Sequence, residues 1–458
     1  MKKQLIMLLI SILCFTANAQ YDTLLNFAGT TNGSNPWADL LFDGTYLYGT
    51  TAAGGTSNMG VVFKIKPDGT DYTKLLDFAG SINGSQPRSS LIYDGTFLYG
   101  TTLQGGVNDM GVIFRIKPDG SNYLKLLDFS GSSNGKLPQG SLVSDGAFLY
   151  GMTIQGGTND LGVIFKIKSD GTSFLKLFDF DGTASGSNPY GSVITDGTFL
   201  YGLTYYGGAN GMGTVFKIKL DGTGYSKLLD FAGTSNGSGP IGSLISDGTF
   251  LYGMTSTGGT SNYGVVFKIK PNGTGYLTLL DFDNSSGDQP NGSLLYDGTY
   301  LYGMARLGGV NSLGVIFKIR PDGTGFLRMY DFDGTNGCEP FGSLVTDGTF
   351  LYGMSYQGGT SNYGVLFKEA LATGIVENEA EKTDVSVYNN PFSKQLTFSL
   401  SDNEPTTVSL YNFLGQQVLQ QTFTNSTTLN TAQLADGIYF YELRSNKGTM
   451  KTGKVVKQ

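Results

Sequence analysis

A unit of about 50 residues recurs seven times along this chain, and this repetition limits the possible folds more than any other feature. Each copy is marked by an Asp-Gly pair followed by an aromatic, strand-like run. The marking residues are Asp43, Asp94, Asp145, Asp196, Asp247, Asp297 and Asp347, which are 51 residues apart four times and then 50 apart twice. A unit this short buries its apolar side chains by packing against neighbouring units, so a repeat architecture is expected.

Each unit contains four strand-like runs, which we name A, B, C and D. In the third copy they are residues 141–144, 148–153, 162–168 and 174–180. In strand C, Val163, Phe165 and Ile167 fall on one face and Lys166 and Lys168 on the other, which predicts a half-buried strand. The Asp-Gly pair favours antiparallel hairpins, because glycine readily adopts positive φ. With 69 glycines, 27 tyrosines and 30 phenylalanines but only 15% charged residues, the composition also favours short strands joined by turns.

Four antiparallel strands in about 50 residues are typical of one β-propeller blade, and propellers have about four to eight blades. Residues 21–27 (YDTLLNF) resemble the D strands of the other units, whereas the seventh unit stops near Lys368 without a D strand. We therefore predict an all-β chain in which residues 20–369 form a seven-bladed propeller. The N-terminal strand would close the ring by supplying the missing strand, unlike in an open solenoid.

The repeat resembles a known family of tandem repeats. Residues 247–270 contain DGTFLYG, then a Gly-Gly pair, then GVVFKI, and these motifs resemble the GloVer repeats of secreted bacterial proteins. That resemblance implies little about activity, because the family has no agreed biochemical function. The Gly-Gly pair also occurs in kelch blades, but the tryptophan of those blades is missing here, where Trp37 is the single tryptophan.

A second all-β segment, residues 384–458, follows a predicted linker at 370–383. Its motifs are YNNP at 388–391, VSLYN at 408–412, LADGIYFYE at 434–442 and a basic end at 451–457. They resemble the type A sorting domain of the type IX secretion system, although that family usually has proline where Asn389 stands. The resemblance implies an immunoglobulin-like sandwich that the type IX machinery recognises after Sec export, followed by release or attachment to surface lipopolysaccharide. An ordinary adhesive sandwich is the alternative.

Residues 1–19 have the pattern of a signal peptide: Lys2 and Lys3, an apolar run at 5–15, and Ala-Asn-Ala at 17–19. The apolar run is too short to span a bilayer, which takes about 20 residues, and no later stretch is apolar enough for a membrane helix. We therefore expect a secreted or surface-attached protein that does not span the membrane.

Composition excludes several classes of function. The net charge is −7 without a basic block, so nucleic acid is not an expected partner. The chain contains no histidine, which removes histidine-based nucleophile activation and histidine metal sites. We expect no cofactor and no metal. The alternative, cation binding by the seven turn aspartates, is weaker because hairpin geometry already explains these residues.

The loops are expected to lie at two ends of the blades. The A–B and C–D turns share one end and are nearly identical between units, whereas the D–A and B–C loops share the other end and vary. A single ligand uses positions at which the repeats differ. The candidate contacts on these variable loops are Trp37, Arg88, Tyr190, Tyr205, Tyr206, Arg306, Phe341 and Tyr356. Such side chains suit a glycan or a surface protein, so we predict binding without turnover. Loops that simply tolerate change are the alternative.

Two further functions stay open. Glu339 and Asp288 lie on neighbouring variable loops, and paired carboxylates on this face could cleave a polysaccharide as a hydrolase or lyase. Cys338 is a weaker candidate nucleophile because it lacks a histidine partner. The last possibility is a structural surface protein without any ligand.

Overall fold

A computed structural model describes residues 21–371, 385–388, 390–400, 405–412, 416–445 and 448–458. In these ranges every regular element is a β-strand. The described residues up to Leu371 form one compact unit, and those from Val385 onward belong to another. The predicted signal peptide and most of the predicted linker lie outside the described residues.

Residues 21–371 form seven four-stranded antiparallel sheets. The A strands are Leu41–Phe42, Ile92–Tyr93, Val143–Ser144, Ile194–Thr195, Ile245–Ser246, Leu295–Tyr296 and Val345–Thr346. The B strands are Leu47–Thr51, Leu98–Thr102, Leu149–Thr153, Phe199–Thr204, Leu251–Thr255, Leu301–Ala305 and Phe350–Ser355. The C strands are Val61–Ile65, Val112–Ile116, Val163–Ile167, Thr214–Lys219, Val265–Ile269, Val315–Ile319 and Val365–Ala370. The D strands are Asp22–Asn26, Thr73–Asp77, Leu124–Asp128, Leu175–Asp179, Ser226–Asp230, Leu277–Asp281 and Leu327–Asp331.

The recurring motif DGTxLYG has a local structural explanation. In the first unit, Asp43 Oδ1 accepts hydrogen bonds from the backbone N–H groups of Thr45 and Tyr46, both at 2.8 Å. Asp43 Oδ2 accepts a bond of 2.9 Å from the Tyr48 hydroxyl. A Cβ atom on Gly49 would lie 2.6 Å from the ring of Phe63 in strand C. The aspartate therefore fixes the turn, the tyrosine fixes strand B to it, and the glycine leaves room for the phenylalanine.

The C strands are buried on both faces, so the prediction of half-buried strands is wrong. In the third unit, Phe165 belongs to an apolar cluster with Tyr99 of the preceding sheet, while Ile164 belongs to a cluster with Phe216 of the following sheet. Both side chains are fully buried. The physical reason is that each of these sheets packs between two others. Alternation of apolar and polar side chains within one strand indicates burial on one face only and does not reveal the second neighbouring sheet.

The N-terminal strand Asp22–Asn26 pairs antiparallel with the seventh C strand, from Asp22 opposite Lys368 to Asn26 opposite Val365. Asn26 Oδ1 accepts a bond of 2.9 Å from the N–H of Thr360, as Asp77 does from Thr56 in the first unit. The chain's first described strand thus occupies the D position of the seventh sheet. The seventh C strand also continues to Ala370, beyond the predicted end of the unit near Lys368.

The described C-terminal residues form two sheets. Their strands are Val385–Tyr388, Gln395–Leu400, Thr406–Tyr411, Gln417–Phe423, Ser426–Asn430, Gly437–Ser445 and Gly448–Lys457. The first, second and fifth form a three-stranded sheet, and the other four form the second sheet. Side chains from both sheets, including Phe398, Val408 and Leu443, share one apolar core.

Candidate functional site

A circle of hydrogen bonds links the seven units just before their A strands. The backbone N–H of Asp39 donates to Ser90 Oγ at 2.9 Å, and each following serine N–H donates to the next serine Oγ. The six serines are Ser90, Ser141, Ser192, Ser243, Ser293 and Ser343. The N–H of Ser343 then donates to Asp39 Oδ1 at 2.5 Å. This use of the backbone explains why the third A strand begins at Val143 and not at the predicted residue 141.

These seven residues line a small cavity together with one variable residue from each unit. The variable residues are Trp37, Arg88, Gln139, Tyr190, Ile241, Asn291 and Phe341. The cavity has a volume of about 50 Å³. A buried water needs about 10–15 Å³ on this measure, so the cavity accommodates a few waters but not a sugar ring. A larger ligand therefore has to bind at the mouth.

Glycines allow the backbones to approach closely around this cavity. A Cβ atom on Gly191 would lie 2.3 Å from the carbonyl oxygen of Gly242, and similar contacts occur at four equivalent glycines. Ala38 and Ser89 occupy the same position in the first two units, where their side chains are buried. We call the backbone around the cavity at these seven equivalent positions the collar. Neighbouring backbones in the collar thus lie closest together at the glycines.

Asp39 is the one acidic member of the hydrogen-bonded circle. Burial raises the pKa of its carboxyl group, while hydrogen bonds from Ser343 and Ser90 oppose that shift. Neither this residue nor any of the six serines was among the candidates predicted from the sequence. The signal was present, because a hydroxyl or carboxyl side chain stands two positions after the variable residue in every unit.

Four of the predicted contacts form one continuous stack. The guanidinium of Arg88 lies over the Trp37 ring, with its Cζ 4.4 Å from the ring centroid. Trp37 stacks on Phe341 with centroids 3.9 Å apart, and Arg306 covers the Phe341 ring at 4.7 Å. Tyr356 contacts Trp37 and Phe341 edge-on, at 5.5 and 5.2 Å. These five side chains come from four different units.

The three remaining predicted contacts form a tyrosine cluster. Tyr190 packs edge-on against Tyr205 with centroids 5.1 Å apart, and Tyr205 packs against Tyr206 at 4.4 Å. Burial raises the pKa of Tyr190 and Tyr205. Tyr206 is 52% exposed and presents its ring to solvent. Seven of the eight predicted contacts therefore line the cavity or pack against residues that line it, and Tyr206 packs against one of the seven, Tyr205.

The two variable loops of each unit form one surface. In the fourth unit, Ser187 of the D–A loop pairs with Tyr206 of the B–C loop, and an equivalent bridge occurs in the other six units. The residue before the proline of each D–A loop has positive φ, including Leu137 at 60° and Glu339 at 52°. The variable side chains are therefore held by a shared backbone arrangement.

Glu339 forms an ion pair and does not stand free. Its Oε2 accepts bonds from Arg306 Nε at 3.0 Å and Nη2 at 2.7 Å. Burial raises the pKa of Asp288, with Arg306 opposing the shift. Burial also raises the pKa of the Cys338 thiol, followed by the effect of Glu339, so the nucleophilic thiolate is disfavoured. The Glu339 carboxylate is thus paired with Arg306, and burial favours the protonated form of the Cys338 thiol.

Within the described ranges, no three Cys, Asp or Glu side chains are grouped so that they could hold a metal ion. The same part of the chain contains no helix of the length and apolarity needed to cross a membrane.

The family comparison agrees with the repeat and the tail. A model described as the Gloeobacter/Verrucomicrobia repeat matches residues 12–148, 134–284 and 245–401. The chain belongs to this repeat family. A second model, the secretion system C-terminal sorting domain, matches residues 386–458 of this Gloeobacter/Verrucomicrobia repeat protein. The sorting domain indicates export through the type IX machinery and attachment at the cell surface.

Solved structures similar to the repeat protein are propeller-like. One is the extracellular domain assigned to a hybrid two-component system of B. thetaiotaomicron, with 13% identity, a TM-score of 0.52, and 96% of this chain and 59% of that chain covered. Another is an oligogalacturonate lyase in complex with manganese, with 13% identity, a TM-score of 0.50, and 78% and 94% covered. The chain spans only 58–59% of the length of two such extracellular domains from B. thetaiotaomicron. Likeness at this identity shows the fold alone. Among curated proteins no match was found.

Proposed function

We propose that residues 21–371 form a seven-bladed propeller, closed by the N-terminal strand, that acts at the cell surface as a binding module without turnover. Two independent contacts support closure: the pairing of Asp22–Asn26 with Val365–Ala370, and the hydrogen bond from Ser343 back to Asp39. The sorting domain would bring this module to the outer surface.

One observation carries the binding role: aromatic and guanidinium side chains of several units converge on the variable loops. The stack of Arg88, Trp37, Phe341 and Arg306 and the tyrosine cluster surround a cavity. The A–B turns of the same sheets are nearly uniform and have a sufficient structural explanation. Rings of this kind pack the apolar faces of sugars, while hydroxyl and guanidinium groups bond their polar edges. A glycan is therefore the preferred ligand, with a surface protein second.

The test compares exposed tyrosines at the two ends of the sheets. On a glycan array and in titration calorimetry, Tyr206→Ala should weaken binding about 10-fold or more, since it removes one stacking ring. Tyr93 is 38% exposed, its hydroxyl donates to Gly95 of an A–B turn, and Tyr93→Ala should leave affinity unchanged. Equal loss in both variants, or none in either, would contradict the proposed binding surface.

The enzyme alternative is tested directly. Incubation with a panel of polysaccharides should yield no new reducing ends and no unsaturated products, because the Glu339 carboxylate is held by Arg306. Product formation that disappears in Glu339→Gln would support catalysis instead. Absence of any binding and any product would favour the structural alternative.

A further inference from the structure

Arg88 is an incompletely paired cation in the wall of the cavity. Its Nη2 lies 3.5 Å from Gln86 Oε1, which is at the limit of a hydrogen bond. Its Nε is buried and has no hydrogen-bond partner in the described part of the chain. Among the described residues no carboxylate forms an ion pair with it. A guanidinium carries five donors in a planar fork that matches a carboxylate, so this side chain retains unused bonding capacity.

The other end of the same stack shows what is missing. Arg306 covers Phe341 as Arg88 covers Trp37, but Arg306 donates two bonds to Glu339 and one to Gln289. Glu339 stands directly before the proline of its D–A loop, and Gln86 holds that position beside Arg88. The protein therefore supplies a carboxylate to one guanidinium of the stack and only an amide to the other.

A polar acceptor of the same cavity is also unpaired. Asn291 is 4% exposed, lines the cavity, and its Oδ1 has no hydrogen-bond partner within the described residues. A buried amide oxygen without a partner costs about 1–3 kcal/mol, so it favours a ligand or water that donates a hydrogen bond. The cavity wall thus presents a cation and a hydrogen-bond acceptor.

We propose that Arg88 binds a ligand carboxylate and that the ligand is an acidic glycan containing uronic acid residues. This inference rests on the proposed function and narrows its ligand class. A planar guanidinium held over Trp37 is preorganised for a bidentate carboxylate contact at the mouth of the cavity. A water in the cavity can donate to Asn291 and bridge it to a sugar hydroxyl group at the mouth.

The experiment uses the exported protein with paired probes. Oligosaccharides of glucuronic, galacturonic or mannuronic acid are titrated beside the same oligosaccharides after reduction of the carboxyl groups to alcohols. Wild type should bind at least one acidic form about 10-fold or more tightly than its reduced counterpart, because charge-assisted bonds are lost on reduction. Arg88→Gln should remove that preference, and Arg88→Lys should retain only part of it.

Arg115→Lys is the matched control. Arg115 also has a buried, unpaired Nε, but it covers Phe97 and donates to the Ser169 carbonyl, and lysines take its place in the other six units. This variant should keep the wild-type preference. Thermal unfolding of every variant separates lost binding from lost folding, and Arg88→Lys supplies the second measurement if Arg88→Gln unfolds.

The outcomes separate this inference from the proposed function. Equal affinity for acidic and reduced glycans, or an acid preference that survives Arg88→Gln, overturns the inference and leaves glycan binding intact. Arg88-dependent binding of acidic peptides without glycan binding overturns the inference in favour of a protein partner. Absence of binding to both glycan forms overturns the inference and the glycan ligand together.

Discussion

At the residue scale, the close approach of neighbouring backbones decides which side chains fit around the cavity. Five glycines of the collar have no room for a Cβ atom, whereas Ala38 and Ser89 occupy the same position where the neighbouring backbone leaves space. The space for a Cβ atom thus differs between units at equivalent positions, because the distance to the neighbouring backbone differs. Substitutions at equivalent positions should accordingly have unequal effects.

Gly191→Ala should lower the free energy of unfolding by about 1–3 kcal/mol, because the added methyl group would meet the Gly242 carbonyl oxygen at 2.3 Å. Chemical denaturation measures the change. Ala38→Gly is the matched control at the equivalent position and should cost about 1 kcal/mol or less. Equal stability of Gly191→Ala and wild type would show that the collar is not tightly packed.

At the scale of the element, the seventh C strand differs from its six counterparts. Glu369 stands where Ile65, Ile116, Ile167, Ile218, Ile269 and Ile319 stand in the other units, and it is fully buried. Both of its carboxylate oxygens are without hydrogen-bond partners within the described residues. Burial and the nearby Asp22 carboxylate raise its pKa from 4.5 to about 7. A strand that pairs with the N-terminal strand thus contains an unfavourably placed acid.

This acid predicts a pH-dependent stability difference. Since the folded-state pKa of Glu369 lies above its unfolded value, the protonated acid favours folding below about pH 4.5 and the penalty grows up to about pH 7. Glu369→Ile should stabilise the protein, and its advantage over wild type should increase by about 3 kcal/mol between pH 4.5 and 8. Urea denaturation of both proteins at both pH values measures this, since shared titrations cancel. An advantage that is constant with pH would contradict the argument.

Strand positions were predictable because the repeat displays them seven times, and the predicted B, C and D runs of the third unit differ from the observed strands by at most one residue at each end. Relations between units were not predictable in this way. The burial of Ile164 against the following sheet and the hydrogen bond from the Ser141 N–H to Ser192 Oγ both depend on a neighbouring sheet. The alternation of side chains within one strand carries no information about that neighbour. The eight candidate contacts were selected because they vary between units, whereas the circle of serines was not predicted because it hardly varies.

At the scale of the whole molecule, the chain has two parts. The repeat region brings side chains of several units close to one another, and the tail determines where the protein is located. The sorting domain has its own two sheets and its own core, so its role does not depend on the chemistry of the cavity. We therefore expect mutations to separate the proposed ligand binding from surface display.

Deletion of residues 384–458 should abolish display at the cell surface, since these residues include the sorting domain. Protease accessibility on intact cells and fractionation of the two variants measure the effect. A Tyr206→Ala protein with an intact tail is the control and should be displayed like wild type. Surface display of the truncated protein would contradict the assignment of sorting to this domain.

The partnership between Asp22–Asn26 and the seventh sheet also has a kinetic consequence. Asn26 and its hydrogen-bond donor Thr360 are 334 residues apart in the chain. Bringing the two segments together therefore has a large entropy cost of loop closure and should come late in folding. Until then the seventh sheet has a vacant edge that the first strand of another copy fits equally well. At high protein concentration, partly folded molecules should therefore exchange their N-terminal strands. Dilution during refolding should favour monomers over domain-swapped dimers.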